Sequence, residues 1–490
     1  MNVVARVRAL GARVRPRRAR LGLLRAAVVK AQRFARRERF PALPTESAVR
    51  ARIARGPIEI PSSERPRVSI IVPVHGGLSA TFACLEALAH TPVKTPFELL
   101  LVDDAAEDPV KQLLEAVRGA RIAQNAVCLG PLHACNVGAR SARGELLCFL
   151  DGDTRVTPGW LDALVETFAV WPRAGVVGAR HLFPDGRLRD AGGIVFRDGT
   201  HGEYGRHRDP EEPRFRFVRP VDYCSRACLV VPTGLFHDLG GFDARYAPGQ
   251  SEDADLAFKA RSAGYEVLYQ PLARIVRYDG VAQGRERRRE LKRSRAENEA
   301  RLLERYRAEL ALHPLPGDRS IKAAERWLAP GVLALVPRPE EPPNPALRHL
   351  LVAARRALLR ASVWHASWDQ TMRRALELQG IECLGAPFVR SARAALEAAE
   401  DGRHRHLVLC GPHALADARA LCPRAPDLLP WVVLDGPPSR LDAADRLALA
   451  HAEGVLVADS SLLGASKSAL SDARVELLPE SPDEAERLFG

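Results

Sequence analysis

Between Gly144 and Leu161 the chain reads GELLCFLDGDTRVTPGWL, and an unbroken apolar run at 146–150 leads straight into Asp151 and Asp153. Such a run predicts a strand covered on both faces, in the centre of a parallel sheet. Ligands of such sheets gather beyond the carboxyl ends of the strands. Two carboxylates one residue apart repel unless a cation or a proton intervenes, and Gly152 between them lets the backbone turn tightly. An oxygen pair of this kind suits Mg²⁺ or Mn²⁺, above all where a diphosphate supplies the remaining ligands. A plain surface turn uses the same Asp-Gly pair. A second acidic group, Ser251-Glu252-Asp253-Ala254-Asp255, precedes Leu256, Ala260 and Ala263 at helical spacing. A carboxylate there could take a proton from a reacting hydroxyl, although a helix N-terminus also favours acids through its dipole.

These groups need elements to hold them. VSIIVPV at 68–74 reads as a strand, followed by a helical pattern with Phe82, Leu85 and Leu88 on one face. FELLLV at 97–102 is the next strand and runs into Asp103-Asp104; Asp108-Pro109 then opens a helix with Val110, Leu113, Leu114 and Val117 as its stripe. A further helix over 136–143 precedes the strand that ends at Asp151. Strand and helix in alternation predict an α/β fold with an open parallel sheet.

Nearly half of the 490 residues are hydrophobic (46%) and 27% are charged, the balance of a globular chain of two to four domains. No stretch approaches the ~18 apolar residues of a membrane-spanning helix. Nine cysteines without a CxxC pair, with Cys84, Cys148 and Cys410 inside apolar runs, fit a reducing cytosol. The net charge of +12 is concentrated: residues 1–40 hold twelve Arg and one Lys against Glu38, and the rest is balanced. That basic arm interleaves apolar and cationic residues, a pattern suited to solvent, to an anionic membrane surface or to nucleic acid. Nothing else in the chain reads nucleic acid, so none is expected as a partner. Residues 41–66 read as a linker.

VSIIVPVHGG, FELLLVDDAAED, NVGARSARGELLCFLDGDT and GGFDARYAPGQSEDADLAFKARSAGYEVLYQ, in this order, resemble the successive blocks of family 2 glycosyltransferases with the GT-A fold, especially those of bacterial surface-polysaccharide and O-antigen assembly. The resemblance spans about 68–313 and implies a metal-dependent, inverting sugar transfer from a nucleotide-diphosphate-sugar to a glycan or lipid-linked acceptor. It implies Asp253 as the base, with Glu252 beside it, and Asp151 and Asp153 as metal ligands. Pro73, Val74, Asp103, Asn136, Gly138 and Asp151 would line the nucleotide-sugar. Where the family often has a histidine that completes the metal site, this chain has Arg277, followed by Tyr278-Asp279-Gly280. Arg277 would either pair with the diphosphate or point away and leave Asp279 as the third ligand; the second is preferred, because both carboxylates are retained. The charged stretch 284–312, with Leu302, Leu303, Tyr306 and Leu310 as its stripe, resembles the family's trailing helix.

The expected organisation is therefore an arm (1–40), a linker (41–66), a GT-A domain (67–313), a linker (314–345, closed by PRPEEPPNP) and a smaller Rossmann-like α/β domain (346–490) with strands at 406–410, 430–435 and 454–459. The last domain weakly resembles one half of a GT-B glycosyltransferase and is read as accessory. Rival readings are a sugar-nucleotide nucleotidyltransferase, which normally carries a basic Gly-rich loop that PVHGG lacks, and a non-catalytic glycan-binding protein. The expected location is cytoplasmic, with peripheral contact at the inner membrane face through the arm.

Overall fold

The strands that end at Asp104 and near Asp151 lie in one ten-stranded sheet. The computed structural model describes residues 38–278, 285–336, 345–365 and 368–385, then 404–409, 429–434, 454–457, 474–477 and 482–489, with Ala395 and Ser466. Residues 1–37 of the basic arm, and Asp279, lie outside the described residues.

In chain order β1 (Ile58–Glu59) is followed by β2 (Val68–Val74), β3 (Phe97–Asp104), β4 (Val117–Arg118), β5 (Ala120–Asn125) and β6 (Leu146–Leu150). β5, β3, β2 and β6 pair side by side and in parallel, joined by helices Leu78–His90, Asp108–Glu115 and Pro131–Ser141. Alternate side chains leave opposite faces of the sheet: Ile70 and Val72 enter one core, Ile71 the other. The last helix lies so close on β2 that a Cβ on Gly138 would stand 2.5 Å from Ile71 Cγ2.

The chain continues through β7 (Thr154–Val156), β8 (Ala174–Leu182), β9 (Leu188–Asp190), the hairpin β10 (Gly193–Val195) and β11 (His201–Glu203), β12 (Arg219–Pro220), β13 (Cys228–Pro232) and β14 (Glu266–Arg277). The hairpin stands apart as its own pair. From β6 the order is β13, β8, β14, β12, with β7 on β14 and β9 on β8. Two antiparallel registers matter for the site. Cys228 lies opposite Leu150, so the residues just before β13 arrive beside Asp151. Arg277 lies opposite Thr154, so the end of β14 meets the turn that carries Asp151 and Asp153.

Beyond helix Arg285–Arg305, β15 (Ala329–Val336), β16 (Leu359–His365), β17 (Glu382–Leu384), β18 (His404–Leu409), β19 (Leu429–Leu434), β20 (Gly454–Val457) and β21 (Val475–Leu477) form a second sheet, parallel throughout. Its order, β17-β16-β15-β18-β19-β20-β21, is that of a doubly wound sheet. The expected linker 314–345 is thereby corrected: β15 falls inside it and is an interior strand, because Val332–Val336 is an apolar run that needs both faces covered. The expected linker 41–66 is corrected as well. It holds helix Glu46–Ile53 and β1 paired with β4, and its Val49 and Ile58 are buried in the first core.

The two units are joined at 377–378. Glu377 pairs with Arg216 (2.9 Å) and its carbonyl accepts the Val218 N–H, while the Leu378 carbonyl accepts the indole N–H of Trp171 (3.2 Å). No helix among the described residues is long and apolar enough to cross a membrane.

Candidate active site

The two registers bring two arginines onto Asp151. Its Oδ1 accepts Arg226 Nη1 at 2.5 Å and its Oδ2 accepts Arg277 Nη2 at 3.1 Å. Arg277 Nε also stands 3.5 Å from Asp153 Oδ1. On its other side Arg226 pairs with Glu252 Oε1 (3.0 Å), and its backbone N–H points at Asp253 Oδ2 (3.3 Å). One arginine thus ties the acidic turn after β6 to the acidic start of helix Glu252–Ser262. The Asp151 backbone N–H donates to Ala227 O (3.1 Å), which fixes the spacing of the two segments.

Burial alone would raise the Asp151 carboxyl, but the charges of Arg226 and Arg277 hold it below the usual carboxylate range. Glu252 goes the other way. Burial and the charge of Asp253 push it up to about 7, against the pull of Arg226. The pairing and the shift look contradictory. Arg226 lies closer to Asp151, and Glu252 Oε2 is buried without a hydrogen-bond partner among the described residues, so desolvation prevails.

The loop that presents Glu252 and Asp253 is strained and clamped. Gln250 and Ser251 both take left-handed backbone conformations (φ 79° and 78°), costly for residues with a Cβ. Asn298, fully buried on the trailing helix, aims Nδ2 at the carbonyls of Tyr246, Gly249 and Gln250 (2.8, 2.9 and 3.0 Å). Further along, Tyr306 donates to Asp255 Oδ1 (2.8 Å) and Arg305 pairs with it (2.9 Å). Asp255 is thereby a structural acid, whereas Asp253 faces a polar cavity.

That cavity has a volume of about 210 Å³ and is lined by Asp151, Glu252, Asp253, Arg226 and Arg277, together with Arg189, His201, Tyr223 and Arg295. Of the residues expected from sequence, Asp151, Glu252, Asp253 and Arg277 meet here, and Asp153 adjoins through Arg277. Pro73, Val74, Asp103, Asn136 and Gly138 do not line it. Val74 is buried in the core, and Asp103 accepts the Ala106 N–H at 2.8 Å. Both ends of the Asn136 amide are engaged by the backbone of Phe242 (2.8 and 3.1 Å). Gly138 is a packing glycine. The expectation that Arg277 points away is corrected: two poorly hydrated carboxylates attract the nearest cation, and the register of β14 supplies one. Sequence reasoning missed Arg226 and Asn298. Arg226 belongs to no spaced motif, and its one available signal was that the acidic pair needed positive charge; Asn298 stands in the Asn…Tyr…Leu pattern by which 284–312 resembles the family's trailing helix.

The oxygen donors of Asp151 and Asp153 suit a hard divalent cation, and the Arg277 guanidinium stands between them as a positive charge already accommodated there. The residues present fit such an ion, provided Arg277 moves aside.

The paired acids at the end of β6, facing a second acidic helix start, stand beyond the carboxyl end of a central strand, where ligands of open α/β sheets bind. Residues 69–229 match the family model "Glycosyl transferase family 2". The O-antigen biosynthesis protein RfbC of Myxococcus xanthus is 30% identical over 239 residues, 46% of this chain and 18% of that protein. The N-acetylglucosaminyl-diphospho-decaprenol L-rhamnosyltransferase of Mycobacterium tuberculosis (strain CDC 1551 / Oshkosh) is 32% identical over 145 residues, 27% of this chain and 47% of that protein. The chain therefore spans less than half the length of either relative. Among solved structures, GalNAc-T7 with UDP, GalNAc and Mn²⁺ aligns over 50% of this chain and 48% of its own at 18% identity, with a TM-score of 0.38.

Proposed function

We propose that the chain transfers a sugar from a nucleotide-diphosphate-sugar to a hydroxyl of a glycan or lipid-linked acceptor, with inversion at the anomeric carbon. The observation that carries this is Arg226, which joins Asp151 to Glu252 and Asp253 around one cavity. An inverting transfer needs two charge-handling centres on opposite sides of one carbon. One stabilises a leaving diphosphate and the other receives the hydroxyl proton.

In this mechanism the acceptor oxygen forms the new bond to the anomeric carbon while the bond to the diphosphate oxygen breaks and its electron pair leaves with the diphosphate. Asp253 accepts the hydroxyl proton. Arg226 holds Asp253, through its backbone N–H, at a fixed distance from the acidic turn, and the elevated Glu252 keeps a second negative charge from crowding the base. Asp151 and Asp153 would hold Mg²⁺ or Mn²⁺, which neutralises diphosphate charge without proton transfer. Arg277, once off the carboxylates, is placed to pair with a phosphate oxygen, as guanidinium groups do bidentately. The names of the two relatives support an envelope-polysaccharide setting and a lipid-diphosphate acceptor. The nucleotidyltransferase rival has no observation in its favour.

The test is a panel of nucleotide-sugars screened for thermal stabilisation with Mn²⁺, followed by transfer assays of wild type and Asp253→Asn with the stabilising donor. Asp253→Asn should cut turnover by about 10²-fold or more and leave donor affinity within about threefold. Loss of donor affinity with turnover intact would overturn the assignment of the base.

The surplus charge of residues 1–40 supports peripheral contact with an anionic membrane, at the cytoplasmic face. Deleting the arm should release the protein from anionic vesicles, and the wild-type binding should fall steeply with salt; arm-independent binding would refute this contact.

A further inference from the structure

At the carboxyl end of β3, away from the cavity, His75, Asp104 and Cys128 converge, with one ligand atom from each lying within 4.8 Å of the others. None of the three has a part in the proposed transfer. His75 Nδ1 is 2.9 Å from the backbone oxygen of Asp104, so the Nδ1–H donates there and the Nε2 lone pair is left facing Cys128 Sγ at 3.9 Å. This is the orienting contact that metal-bound imidazoles characteristically make through their second nitrogen. The Cys128 thiol donates to Asp104 Oδ2 at 3.4 Å.

Asp104 is held as a ligand would need to be. It is buried (1% exposed), with Oδ1 accepting Asn125 Nδ2 (2.8 Å) and Leu129 N (2.9 Å) and Oδ2 accepting Gly130 N (2.8 Å). The same contacts fix the short loop that carries Cys128. His75 and Cys128 are exposed, so an ion could enter and keep a water in a fourth position.

We infer that His75, Asp104 and Cys128 form a binding site for a divalent ion of the zinc class. Thiolate, imidazole and carboxylate together select Zn²⁺ or Co²⁺ over the all-oxygen preferences of Mg²⁺ and Mn²⁺. With metal–ligand lengths of about 2.0–2.3 Å, tetrahedral ligand atoms sit roughly 3.5 Å apart, so Sγ and Oδ2 are already at that spacing, while Nε2, 3.9 Å from Sγ and within 4.8 Å of the carboxylate, moves inward on binding. On binding, the thiol proton goes to solvent and the metal–sulfur bond replaces the S–H to Oδ2 contact, which makes affinity rise with pH. The inference is independent of the glycosyl-transfer reading.

The test uses the full-length protein, freed of metal with a chelator and kept reduced, titrated with Co²⁺ and followed by optical absorption. Wild type should show a thiolate-to-cobalt charge-transfer band that saturates near one equivalent and is displaced by Zn²⁺ but not by Mn²⁺. Cys128→Ser, an exposed change whose fold is checked by circular dichroism, should lose the band, and His75→Ala should weaken Co²⁺ by about tenfold or more. No charge-transfer band in wild type, or an unchanged band in Cys128→Ser, would overturn the proposal. Should His75→Ala fail to fold, Zn²⁺ protection of Cys128 against alkylation, measured by peptide mapping in wild type, decides the same question: a protected thiol supports the site and an unprotected one overturns it.

Discussion

Arg226 Nη1 and Asp151 Oδ1 meet at 2.5 Å, with both side chains almost wholly withdrawn from solvent (12% and 13% exposed). A buried pair of this kind is weak evidence for added stability, since desolvation offsets the attraction, but removing one partner strands the other. Because Arg226 also holds Glu252, one substitution strips Glu252 of its cation and leaves Asp151 with Arg277 alone. Arg226→Ala should lower stability by about 3–5 kcal/mol, read as a fall in Tm, and reduce turnover at least about 10²-fold. Arg226→Lys keeps the charge but cannot fork to both acids. It should recover part of the Tm and little of the turnover. Wild-type turnover in Arg226→Lys would show that the fork is dispensable.

Under the proposed reading, Arg277 and a divalent cation compete for the same two carboxylates. Unit like charges 4 Å apart repel by about 4 kcal/mol at an effective dielectric near 20, and a divalent ion feels more. Arg277→Ala should therefore tighten Mn²⁺ binding by about tenfold or more without nucleotide, counted by the free-ion electron paramagnetic resonance signal, while Asp153→Asn should weaken it. Equal Mn²⁺ affinity in wild type and Arg277→Ala would mean that the ion does not sit between Asp151 and Asp153.

Glu252 gives a pH dependence of defined sign. Burial and Asp253 raise its folded value from 4.5 to about 7, so between those values the folded protein holds a proton that the unfolded chain has released. Its stabilising contribution is complete below the unfolded value and is lost as pH rises through the folded one. Asp190, raised to about 7 by burial and Glu203, slopes the same way, so the comparison must be made against a single-site variant. The Tm of wild type should fall relative to that of Glu252→Gln between about pH 5 and pH 8. Parallel curves would show that Glu252 titrates as an ordinary surface acid.

Much of the frame was legible from residues alone. The apolar runs at 68–74, 97–102 and 146–150 became adjacent parallel strands, because only a sheet covered on both faces buries such runs. Asp151 and Asp153 follow the end of the expected strand. What could not be read depends on contacts between segments far apart in sequence. Arg226 reaches Asp151 only through the antiparallel register of β13, and Asn298 reaches the Gly249–Gln250 carbonyls only because the trailing helix folds back. β15 was hidden by its neighbours: an Ala-Pro-Gly start and the proline-rich stretch after it speak locally for a linker, and only the pairing on both sides makes it an interior strand.

The clamp from Asn298 has a wider consequence. The family match ends at residue 229, yet Asp253 and the amide that orders its loop both lie beyond it. The boundary by which such proteins are recognised thus cuts through a single hydrogen-bonded device. Under the proposed reading, two chains that share only the recognised segment inherit a common way of handling a leaving group. Each remains at liberty to carry its own loop and closing helix, and with them its own choice of which hydroxyl to activate.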